Sequence, residues 1–95
     1  MDVVSLWESH RSASWPKFLS PHEGELMTLD TVISGCATYY MDERGLDPRR
    51  VQMLEQCVAE LDGLLSDVPE EAGEYFTRLR VLAGTLLDTA QRTRS

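Results

Sequence analysis

Cys36, Cys57, His10 and His22 are the side chains of this chain best suited to act as nucleophile, base or metal ligand, and their spacing supports none of those roles. Zinc draws on four ligands at short, regular intervals, and neither histidine stands at ligand spacing from the cysteines or from the other histidine. No serine or cysteine lies in a pattern that pairs a nucleophile with a base. Gly24, Gly35, Gly63, Gly73 and Gly84 lack the strand–turn–helix setting in which glycines cradle phosphate. No catalytic residue, metal or cofactor is therefore assigned, and the expectation is a non-enzyme. The cysteines are expected as buried free thiols. Packed helix axes lie about 8–10 Å apart, whereas a disulfide needs Cα atoms at about 4.4–6.8 Å.

Charge is the denser chemical signal. Asp and Glu number 16 against 9 Lys and Arg, for a net charge of −7. Nucleic acid is an unsuitable partner for such a chain, because phosphate binding draws on a concentrated basic surface. Glu70, Glu71 and Glu74 fall in consecutive turns after Pro69, where carboxylates favour a helix start and can also form a docking surface for a basic partner. Arg49 and Arg50 follow Pro48 at another helix start, where positive charge opposes the helix dipole. They are either neutralised by Asp47 and Glu43 or form a contact surface for a partner's acidic patch. Asp30, Glu55 and Glu60 fall off the apolar stripes and are expected on the solvated face.

These groups are carried by three helices. Ser20-Pro21-His22-Glu23 reads as a capping box with Pro21 in the first helical position, followed by a stripe of Leu26, Leu29, Ile33, Cys36 and Tyr40. Asp47-Pro48 opens a second helix whose heptad seam runs through Val51, Leu54, Val58, Leu61, Leu65 and Val68 up to Pro69. A third begins at Pro69 and carries Tyr75, Leu79, Leu82 and Leu86 on one face. Flanking apolar rows, Val32 and Tyr39, then Met53, Cys57 and Leu64, then Phe76, Ala83 and Leu87, widen each face toward more than one neighbour. Short connections favour antiparallel neighbours. The expected fold is an all-α, up-down-up three-helix bundle over residues 20–95, with residues 1–19 as an N-terminal arm or short helix.

In that topology the carboxylates of Glu23, Glu25, Asp62, Asp67, Glu70, Glu71 and Glu74 gather at one end. Arg44, Arg49, Arg50, Arg92 and Arg94 gather at the other, among Asp42, Glu43, Asp47 and Asp88. The arm holds Trp7 and Trp15. It either docks on its own bundle, as ordered terminal segments usually do, or is exchanged with a second subunit or laid on a partner, where aromatic side chains contribute strongly. Gly35 and Gly84, inside helices at about 1 kcal/mol cost each relative to alanine, are either tolerated drift or mark one level of low relief where the arm or a second copy packs closely.

The functional expectation is a non-catalytic helical protein-protein interaction or regulatory module, homodimeric, with no membrane or nucleic-acid partner. Without a long apolar span or signal peptide, it is expected in the cytoplasm of a bacterium. One alternative is an acidic inhibitor or immunity-type protein masking a basic partner. The other, from a different class, is a small all-helical enzyme. Such an enzyme would need cationic side chains lining a pocket, and Arg78 and Arg80 flank the third seam rather than occupy it.

Overall fold

The computed structural model describes residues 2–93. Among them are four α-helices and no strand: α1 (Val3–Ser12), α2 (Glu23–Glu43), α3 (Pro48–Leu65) and α4 (Glu70–Thr93). None is long and apolar enough to cross a membrane.

Each helix boundary has a local cause. Asp2 caps α1 by accepting the Ser5 backbone N–H at 2.8 Å, which holds its carboxyl below the usual carboxylate range. Asp47 does the same for α3 through the Arg50 N–H, with Pro48 in the first turn. The α2 start departs from the expected capping box. Ser20 Oγ accepts from His22 N–H, so Pro21 and His22 form a turn and the helix begins two residues later, at Glu23. The α3 seam also stops short of Val68. Asp67 and Val68 donate back to the Leu64 and Leu65 carbonyls in a turn, and the residue before Pro69 disfavours helical backbone. At the end of α2 it is Arg44, not Gly45, that takes the left-handed conformation, with φ 60° and its N–H on the Tyr40 carbonyl.

Both α2 and α4 touch all three other helices, α4 most extensively; α1 lies on α2 and α4 and does not reach α3. This placement widens the buried face of α4. Phe76 and Ala83, expected beside its seam, are fully buried with Leu79, Leu82 and Leu86. They meet Leu26 and Ile33 of α2 and Leu54 and Leu61 of α3 in one apolar core, which also takes in Val3, Leu6 and Phe18. At about 25 cal/mol per Å², full burial of a side chain such as Phe76 or Leu61 contributes roughly 1.5–3 kcal/mol. Cys36 and Cys57 sit in this core as free thiols, and burial pushes both above the usual thiol range.

Candidate functional site

Asp30 lies on the face of α2 that turns toward α1 and α4, and the expectation of a solvated carboxylate fails there. His10 Nε2 of α1 stands 2.6 Å from Asp30 Oδ1, and the Tyr75 hydroxyl of α4 donates to Asp30 Oδ2 at 2.9 Å. One carboxylate thus joins three helices. A half-buried carboxylate needs such donors, because its desolvation is otherwise uncompensated. The His10 ring is 4% exposed and its centroid is 4.9 Å from that of Tyr75. Burial first, and then the bond to Asp30, push the Tyr75 phenol far above its ordinary range, so it stays protonated and donating.

Aromatic packing extends this node into the arm. Trp15 meets Tyr75 and Phe76 edge-on at 5.5 Å, and Phe18 meets Phe76 at 5.7 Å. The buried side-chain polar atoms without a hydrogen-bond partner among the described residues are His10 Nδ1, Trp15 Nε1 and Arg78 Nε. His10 and Trp15 pack on the Tyr75 ring, and Arg78 borders the same cleft as Tyr75. Native proteins leave few buried polar atoms unpaired, so their concentration around one residue marks this junction.

Residues singled out from sequence fall in three places. Glu70, Glu71 and Glu74 are exposed on the first turns of α4. Glu71 shares a hollow with Glu23 and Lys17, and His22 Nε2 lies 4.0 Å from Asp67, so the starts of α2 and α4 form one acidic end. At the other end Arg50 is held by Asp47 at 2.6 Å and lies 3.8 Å over the Tyr39 ring, while Arg49 is exposed. Arg50 is therefore occupied within the fold. Arg94 lies outside the described residues.

The tryptophans are half-buried against their own bundle: Trp15 packs as above, and Trp7 tilts against His10 with 6.3 Å between ring centroids. Gly35 and Gly84 do not mark a docking level for the arm. A Cβ built at Gly35 meets nothing within 4 Å, and one at Gly84 meets only the Arg80 guanidinium, at 2.6 Å.

The structure brings together His10, Asp30, Tyr75 and Arg78, which sequence reasoning did not assemble. The available signal was weak: an acidic residue directly after Leu29 on an apolar stripe, and a tyrosine at the head of another. Among the described residues no group of three or more Cys, His, Asp or Glu side chains is placed to hold a metal ion. Comparison of the chain with models of protein families, with curated proteins and with solved structures finds no match.

Proposed function

We propose that this chain is a non-catalytic interaction or regulatory module that docks a basic protein partner through its acidic end, with α2, α3 and α4 arranged up-down-up. One observation carries the reading. Glu23, Glu70, Glu71 and Glu74 form no ion pair among the described residues, with Lys17 sharing the hollow of Glu23 and Glu71, whereas Arg50 and Arg92 at the other end are engaged by Asp47 and Asp88. Unpaired like charges raise the local field and speed encounter with an oppositely charged surface. A non-enzymatic role is supported by the burial of His10 Nδ1, which withdraws the one histidine beside a carboxylate and a tyrosine from contact with a substrate.

The test is partner recovery with Glu70→Gln, Glu71→Gln and Glu74→Gln combined, at low and high salt. The expected result is weaker recovery and a flatter salt dependence with the fold retained, because exposed charges contribute little to stability. Undiminished recovery, with Arg49→Ala plus Arg50→Ala diminishing it instead, would move the docking surface to the opposite end.

A second reading, self-association, is favoured by a shallow groove between α2 and α3 lined by Leu29, Val32, Met53 and Cys57. Met53 is 38% exposed there, and Met27 on α2 is 50% exposed. Methionines suit an adaptable apolar contact. Sedimentation at micromolar concentration checks it, and a species of formula mass removes the dimer.

A further inference from the structure

A cleft of about 450 Å³ opens beside Tyr75 where α1 gives way to the arm, and its polar lining is Ser9, Ser14, Glu71, Glu74, Tyr75 and Arg78. Ser12 also borders it, but its hydroxyl is donated to the Glu8 carbonyl at 2.8 Å. Glu74 and Arg78 stand four residues apart with the carboxylate nearer the N-terminus, the spacing and order at which helices ordinarily pair them. Here they do not pair. Arg78 forms no ion pair among the described residues, and its Nε is buried without an acceptor. Glu71 and Glu74 likewise form no ion pair among the described residues. One cleft thus keeps an uncommitted cation and two uncommitted carboxylates apart along a single helix.

That charge pattern selects a ligand. A simple anion drawn to Arg78 meets repulsion from Glu71 and Glu74, and a simple amine drawn to the glutamates meets Arg78. A molecule with both charges a few ångströms apart satisfies each, and the cleft volume lies within the range of small-ligand sites, about 300–1,000 Å³. We propose that this cleft binds a small zwitterion of the α-amino acid class. Arg78 and the Ser9 and Ser14 hydroxyls receive the carboxylate, Glu71 and Glu74 receive the ammonium, and Tyr75 forms a wall. The site shares two glutamates with the proposed docking surface but does not depend on it.

The experiment is a titration of the full chain followed by amide and indole N–H resonances, using each common α-amino acid, with acetate and methylammonium as single-charge probes. Trp15 borders the neighbouring hollow, but its ring meets Tyr75, a wall of the cleft, edge-on at 5.5 Å, so its indole N–H reports on that wall. Trp7, which has no such contact with Tyr75 and borders a hollow on the other side of α1, is the internal control. The expected result is a saturable shift of the Trp15 signal by at least one amino acid, with a Kd on the order of 1 mM or tighter, and none from acetate or methylammonium. Arg78→Gln and Glu74→Gln, each checked for retained signal dispersion, should separately weaken binding about tenfold or more. If Arg78→Gln fails to fold, Glu74→Gln decides.

No saturable shift with any amino acid would overturn the site. Acetate binding as well as the amino acid would overturn the zwitterion assignment, as would affinity that survives the Glu74 change. Partner recovery unaltered by Arg78→Gln, alongside lost amino acid binding, would separate this site from the docking surface.

Discussion

Two of the contacts that α4 makes, with α3 and with α1, are built on different chemistry. Toward α3 the molecule is dry. Leu54 and Leu61 are fully buried, as are Leu79, Leu82 and Leu86, and at the surface Arg80 pairs with Asp62 at 2.6 Å across the two helices. Toward α1 the molecule is polar: Tyr75 and His10 meet on Asp30, and nearby polar atoms are buried without partners. Apolar packing supplies stability without directional demands. The polar junction requires particular atoms at particular distances, and it leaves some unmet, which is the ordinary mark of a region shaped by something besides folding.

The largest expected effect tests the dry side. Leu54→Ala or Leu61→Ala should cost about 2–5 kcal/mol, and Phe76→Ala about 3–5 kcal/mol, in denaturant unfolding. A loss under about 1 kcal/mol in all three would mean that this interface is not the main source of stability. Asp30→Asn probes the polar side. An amide can accept from Tyr75 through its oxygen and donate to His10 Nε2 through its nitrogen only if the imidazole proton moves to Nδ1, which is buried without an acceptor. A buried donor is thus stranded at about 1–3 kcal/mol. Hydrogen exchange should show the loss in α1 amides first, with α3 amides retaining protection. Equal loss in both helices would make the two contacts one cooperative unit.

Alkaline pH should act on both sides at once. Tyr75, Cys36 and Cys57 all have folded-state values raised by burial. Their contribution is therefore fully present below the ordinary thiol and phenol ranges and is lost as pH rises through the folded values. Thermal melts should hold steady near neutrality and decline from about pH 9 upward. Tyr75→Phe should cost about 1 kcal/mol at neutral pH and make the decline shallower above about pH 10.

The smallest effect concerns the two helical glycines. Gly35→Ala, with open space at the new Cβ, should stabilise by up to about 1 kcal/mol, measured as a raised melting midpoint. Gly84→Ala should gain less, since its Cβ displaces the Arg80 guanidinium and with it the bond to Asp62.

The three long helices and their core faces were legible because they are written at spacings of three and four residues, within reach of a single helix turn, whereas the short α1 was left open between arm and helix. Leu26, Leu29, Ile33, Leu54, Leu61, Leu79, Leu82 and Leu86 are buried where the periodicity places them. The prolines and Asp47 marked helix starts for the same local reason, although at Pro21 the Ser20 hydroxyl turned the expected first turn of α2 into a tight turn. The candidate site was not legible in this way. Asp30 finds its partners 20 residues before it and 45 residues after it. Those bonds exist only once α1 has packed across α2 and α4, and that packing is selected by the fit of whole helix faces rather than by any local pattern. Sequence alone determined which surfaces must be buried. Tertiary structure decided which polar groups would be carried in with them, and whether Arg78 and Glu74, spaced to pair, would stand apart in a cleft.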